Sequence, residues 1–243
     1  MKRLFVLIFS VFLLAFPPLE TAVVLPEEFF QDTADQPAAP FDITAGSYIL
    51  MEMETGRVLA GRDIHERLAM ASTTKIMTAL LTLEQPDLDE YFTVDSKAIL
   101  VEGSSMGLLP GDQVTLRGLA IGMLLHSGND SAGAAAVKVG GTTEGFVAMM
   151  NERAAEMGLT DTHFATPSGL DADDHYSSAY DMAVLAKNAL ANEDFLAICS
   201  TAKTQIAFGN PPYDRWLKNH NRLLEEYDGC IGVKTGFTKK AGR

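Results

Sequence analysis

Cysteine is scarce: two in 243 residues cannot build a disulfide scaffold or a zinc site with four thiolate ligands. Basic residues are also short, 19 Lys and Arg against 32 Asp and Glu. A formal charge of −13 offers little to a phosphate backbone, so nucleic acid is not an expected partner. His65, His126, His163, His175 and His220 nowhere make the His-Glu-x-x-His spacing of a zinc peptidase. A Gly-x-Ser-x-Gly elbow and a phosphate-cradling glycine loop are missing too, and the reading calls for neither metal nor cofactor. There is no internal repeat. What remains, 47% apolar and 21% charged, is the composition of a folded chain with a substantial core.

Lys2 and Arg3 precede Leu4–Phe16, an uncharged apolar run that Pro17 and Pro18 end. This is the pattern of a secretory signal peptide over residues 1–22, too short to span a bilayer comfortably. An uncleaved anchor is the alternative. Export places the protein outside the cytoplasm, in the cell envelope, where disulfides are allowed. A bond between Cys199 and Cys230 is left open. Residues 23–40 are acidic and Pro-containing and read as a linker, so the folded domain is expected over 41–243.

Ser47–Met53 and Arg57–Gly61 flank Glu54-Thr55-Gly56 and predict an antiparallel hairpin. Helices are predicted over 72–84, 116–126, 131–139, 143–157, 178–191 and 193–199 from apolar spacing and caps. The 116–126 stretch is apolar nearly all round, which marks a buried helix. A long polar loop over 160–177 is followed by an N-cap at Ser178. Lys203–Phe208 and Gly229–Phe237 read as strands. Without regular βαβ alternation, the class is α/β with an antiparallel sheet. The last strand ends six residues before Arg243, so the domain is expected to be incomplete at its C-terminus.

Three short motifs occur in order: Ser72-Thr73-Thr74-Lys75, Ser127-Gly128-Asn129 and Lys234-Thr235-Gly236. Ser-x-x-Lys and Ser-x-Asn are each common and Lys-Thr-Gly is rarer, so the weight lies in the ordered set. Ser72 opens a helix with Lys75 one turn on, on the same face. A lysine in a dry cleft loses hydration of its charged form and its pKa falls. A neutral amine within reach of a hydroxyl is a general base, and that hydroxyl becomes a nucleophile. Ser200-Thr201-Ala202-Lys203 repeats the spacing but ends a helix, so it is read as structural. Ser127 and Asn129 sit in a bend between two buried helices, where a hydroxyl can relay a proton and an amide can meet a substrate peptide group. Lys234 and Thr235 suit a carboxylate, and Gly236 lets a backbone approach closely.

These motifs and their flanking words, Ala71–Leu80, His126–Ala132 and Gly232–Thr238, resemble the penicillin-recognising serine enzymes. Within that group the chain looks like the low-molecular-mass penicillin-binding proteins that are D-alanyl-D-alanine carboxypeptidases. Gly169-Leu170-Asp171 and His175–Asp181 add to the likeness, which runs from about Ala45 to Arg243. The resemblance implies a serine β-lactamase/penicillin-binding-protein-like fold, an antiparallel sheet flanked by helices with an inserted helical subdomain. It implies Ser72, Lys75 and Ser127 as catalytic and Asn129, Lys234, Thr235, Gly236 and Phe237 as substrate-binding. The backbone N–H groups of Ser72 and Phe237 would form an oxyanion hole. The implied substrate is a peptidoglycan stem peptide that loses its terminal D-alanine, and β-lactams are implied as covalent inhibitors. Some relatives carry His where this chain has Phe237, so only a main-chain role carries over there. Relatives also continue past Arg243, often to a membrane-binding helix, which implies membrane association through a C-terminal segment absent from this sequence. A D,D-endopeptidase, a class A-like β-lactamase and a non-catalytic wall-binding protein are the rival readings. The β-lactamase is disfavoured because Glu193–Ala197 breaks the Glu-x-x-Leu-Asn pattern.

Overall fold

The computed structural model describes residues 43–242. The predicted signal peptide over 1–22 and linker over 23–40 lie outside the described residues. The first element is the predicted hairpin, β1 (Tyr48–Met51) against β2 (Val58–Arg62), antiparallel with Tyr48 opposite Arg62 and a bulge at Leu50/Met51. Next a 3₁₀ turn, Ala71–Thr74, runs into α1 (Lys75–Leu83). All nine residues of α1 are buried. Ile76, Met77, Ala79, Leu80, Leu81 and Leu83 leave no polar stripe, and the hydroxyls in between are satisfied internally. Thr78 donates to the Pro167 carbonyl (2.6 Å) and Thr82 to the Thr78 carbonyl (2.7 Å).

The strands β3 (Phe92–Thr93) and β4 (Gln113–Val114) form a short antiparallel pair. Thr115 then caps α2 (Leu116–His126), its hydroxyl accepting from the Gly118 N–H. That helix ends where Ser127 takes a left-handed conformation, φ 60°. The chain turns at Gly128 and starts α3 (Asn129–Gly140), two residues before the predicted start. An alanine-rich face brings α3 close to its neighbour: a Cβ on Gly133 would fall 2.0 Å from the Ala98 carbonyl oxygen. The helices α4 (Thr143–Glu156), α5 (Ala179–Leu190) and α6 (Glu193–Cys199) follow, capped by the side chains of Thr142, Ser178 and Asn192. α1 contacts α2, α3, α4, α5 and α6 and is the axis of the core. Phe146, Phe164, Phe195, Met77, Met106 and Met123 fill the space around it.

A second hairpin pairs β5 (Lys203–Gly209) with β6 (Pro212–Lys218), Lys203 opposite Lys218. β6 was not expected. Pro211-Pro212 reads as a breaker and Asp214, Arg215 and Lys218 hide its alternation, yet Leu217 is buried on one face while Trp216 is exposed on the other. A short α7 (Leu223–Glu226) follows. The strand expected over Gly229–Phe237 is corrected: residues 231–237 make no ladder among the described residues. Their sequence suits a strand, but a strand needs a neighbour to take its N–H and C=O groups. The segment is instead a strap tied down at single points. Among the described residues the strands thus form three separate antiparallel pairs, mixed with helices as the class predicts.

Candidate active site

In a 3₁₀ turn residues i and i+3 eclipse. The turn over Ala71–Thr74 therefore stacks Lys75 against Ser72, and Nζ lies 3.1 Å from Ser72 Oγ. Lys75 is fully buried. Its ammonium faces three acceptors: Ser72 Oγ, Asn129 Oδ1 (2.7 Å) and the Ser168 carbonyl oxygen (2.5 Å). Among the described residues no carboxylate pairs with it. Desolvation, then repulsion from Lys234, holds its pKa well below the ordinary lysine value, with Asp130 pulling the other way. Two of the three acceptors can only accept, so a neutral Lys75 spends both N–H groups there. Its lone pair is left facing the one partner that can also donate, the Ser72 hydroxyl. This is the geometry of a general base poised on a nucleophile.

A cleft of about 440 Å³ opens above this pair, lined by Ser72, Ser104, Ser127, His220, Thr235, Gly236 and Phe237. Five of the eight sequence-predicted residues thus share one space. Of the other three, Lys75 lies beneath Ser72. Asn129 is buried with both ends of its amide engaged, Nδ2 donating to the Glu102 carbonyl (2.6 Å) and Oδ1 accepting from Lys75. It holds the lysine rather than facing the cleft. Lys234 is half-buried, donates to the Thr235 carbonyl (2.7 Å), and is lowered to about 8 by desolvation. The strap that carries it is fixed by Cys199 Sγ on the Ile231 carbonyl (3.4 Å), Asn221 Nδ2 on the Gly232 carbonyl (3.2 Å) and Thr238 Oγ1 on Asp171 (2.9 Å). A Cβ on Gly236 would sit 3.1–3.2 Å from the Met70 oxygen and the Ser72 and Thr73 nitrogens. Glycine is what lets the strap lie against the nucleophile's own amide.

Several residues that build the site lie in the words that carry the resemblance but had no role assigned to them. Asp130, 2% exposed, accepts from the N–H groups of Met106, Gly107, Leu108 and Ser131 and from the Ser105 hydroxyl. It shapes the 104–108 loop, whose Ser104 lines the cleft and accepts from the Asn129 N–H. His175 is buried, and Ala165 N–H donates to its Nδ1 (2.9 Å). Nε2 therefore carries the proton and donates to Thr74 Oγ1 (2.8 Å), which donates to the Ala71 carbonyl (2.8 Å). Burial lowers this imidazole to about 4. The chain of bonds locks the 160–177 loop against the nucleophile turn. Gly169 completes the contact at φ +85°, where a Cβ would fall 1.9 Å from the Ala71 oxygen.

The second Ser-x-x-Lys is structural, as expected. Ser200 donates to the Leu196 carbonyl at the end of α6, and Lys203 lies over the Trp216 ring. Cys199 and Cys230 are free thiols, and burial pushes the Cys199 thiol up to about 11. Glu193, the residue a deacylating water would need in a class A enzyme, is in the first turn of α6 and outside the cleft lining.

Comparison with known proteins finds relatives over most of the chain. Residues 31–243 match the family described as D-alanyl-D-alanine carboxypeptidase. The D-alanyl-D-alanine carboxypeptidase DacF of Bacillus subtilis is 41% identical over 202 residues, covering 81% of this chain and 52% of the relative. DacB2 of Mycobacterium tuberculosis is 38% identical over 215 residues, covering 86% of this chain and 73% of the relative. The chain therefore spans about half the length of the Bacillus protein. Among solved structures, the Streptomyces K15 DD-transpeptidase superposes with a TM-score of 0.76 at 33% identity, covering 81% of each chain. The D-alanyl-D-alanine carboxypeptidase of Mycobacterium tuberculosis gives 0.77 at 36%, covering 87% of this chain and 78% of that one.

Proposed function

The chain belongs to the D-alanyl-D-alanine carboxypeptidase family, and from that premise we propose that it removes the terminal D-alanine from peptidoglycan stem pentapeptides through an acyl-enzyme on Ser72. The observation that carries the reading is a buried Lys75 amine 3.1 Å from Ser72 Oγ with no carboxylate partner among the described residues. Lys75 takes the Ser72 proton as Oγ attacks the carbonyl carbon between the two D-alanines. The oxyanion forms beside the Ser72 and Phe237 N–H groups. Ser127 passes a proton to the departing amine, D-alanine leaves, and water then hydrolyses the ester. Lys234 and Thr235 hold the substrate's C-terminal carboxylate, and Asn129 keeps Lys75 in place. β-Lactams acylate the same hydroxyl. The signal-peptide pattern over residues 1–22 supports action outside the cytoplasm, in the cell envelope.

The test is labelling of wild type and Ser72→Ala with fluorescent penicillin, paired with release of free D-alanine from a pentapeptide. Labelling that disappears with Ser72→Ala, together with D-alanine release, supports the reading. An adduct on another side chain refutes it. Separation of cross-linked dimers without D-alanine release turns it to an endopeptidase, rapid turnover of the antibiotic to a β-lactamase, and peptidoglycan affinity without labelling to a wall-binding protein.

A further inference from the structure

The Lys234 ammonium is turned onto a main-chain oxygen of its own segment and is not part of the cleft lining. Among the seven residues that line the cleft, His220 alone has a side chain that changes charge between about pH 5 and 8. Its backbone N–H is pinned to the Leu125 carbonyl (3.0 Å), so the ring is held at the wall. Among the described residues that ring has no hydrogen-bond partner. It lies 5.2 Å from the His126 ring, whose Nδ1 is itself buried without a partner. The groups acting on His220 are His126, from the last turn of α2, and Lys234, from the strap. Charges on the flanking elements are engaged with each other, Lys218 with Glu225 (2.9 Å) and Arg222 with Glu226 (4.0 Å). Among the described residues the groups acting on His220 include no carboxylate.

We propose that His220 is a specificity-determining residue: its protonated imidazole joins Thr235 and Lys234 in holding the free carboxylate of the bound peptide. This rests on the carboxypeptidase reading and names the residue that makes recognition of a free C-terminus depend on pH. In the free protein, desolvation first, then His126 and Lys234, hold the imidazole below the ordinary histidine value, so it is neutral at neutral pH. An arriving carboxylate favours the charged form. Binding therefore takes up a proton, and affinity falls as pH rises through the range between the free and bound values.

The experiment uses the full chain with Ser72→Ala, which separates binding from turnover. Calorimetry in two buffers of different ionisation enthalpy follows an N-acylated peptide ending in D-alanyl-D-alanine and its C-terminal amide. The carboxylate peptide is expected to bind about tenfold more tightly at about pH 5 than at about pH 7, with proton uptake, equivalent to roughly one pKa unit of coupling. The amide shows neither effect. Adding His220→Gln removes both, and His220→Arg gives tight binding with no slope. His220 is exposed, so neither change should disturb folding, which thermal unfolding checks. A pH slope that survives His220→Gln, or a flat profile in the parent, overturns the proposal alone. Failure of both peptides to bind at any pH overturns the carboxypeptidase reading as well.

Discussion

Asp130→Asn puts the architecture of the cleft to a severe test. The carboxylate accepts six hydrogen bonds, the longest from the Ser131 hydroxyl (3.5 Å), and is 2% exposed. Asparagine keeps one acceptor, which serves Met106 and Ser131. It places an NH₂ where Oδ2 now receives the Gly107 and Leu108 N–H groups at 2.9 and 3.0 Å. Two buried donors then face a donor. Each bond to a charged acceptor contributes about 1.5–3 kcal/mol, so the loss should be about 3–5 kcal/mol. For a domain of this size that is a fall in Tm of roughly 6–20 °C. The same change frees Ser104, and with it the bond to Asn129 N–H that helps seat Lys75. Acylation by penicillin, measured well below the transition, should therefore slow as well. Ser105→Ala is the control, removing one bond to Oδ2 at a cost of about 1 kcal/mol. A Tm within about 2 °C of wild type for Asp130→Asn would refute the claim that this carboxylate holds the loop.

Lys75→Arg fixes a permanent charge there and cannot deprotonate, so acylation should fall by at least roughly a thousandfold, with circular dichroism checking that the fold is kept. Wild-type acylation should rise with pH through the lowered Lys75 value, because the neutral amine is the active form; a rate that falls over that range would contradict the base assignment. His175 has a folded value near 4 against about 6.5 unfolded. The unfolded chain binds the extra proton, so stability is full above about pH 6.5 and is lost as pH drops toward 4, by up to about 3 kcal/mol. Urea midpoints across that window should slope for wild type and flatten for His175→Gln; an equal slope in both would sink the assignment.

The helices were legible because their signals are local. Apolar spacing marks α1 and α2, and Ser178 announces α5 by its side-chain cap. Ser72 and Lys75 were legible for the same reason, since three residues fix their separation. What stayed hidden depends on contacts far along the chain. Asp130 acts on a loop some 22–25 residues earlier, and His175 on Thr74 across 101 residues. No periodicity records such pairs. Asn129 was expected to face the substrate because an extended triplet would point it there, but the helix begins at Asn129 and turns the side chain inward onto Lys75. The segment over 229–237 has the residues of a strand and no neighbour to make it one among the described residues.

The contact of Gly236 with the amide of Ser72 has an evolutionary consequence. The wall facing the nucleophile at that point is main chain against main chain, with no side chain to exchange. Selection by an antibiotic cannot loosen that gap through a smaller residue, since none exists, and a larger one crowds the reacting turn. Adaptation would have to shift the whole strap, through anchors such as Cys199, Asn221 and Thr238 that lie outside the cleft lining.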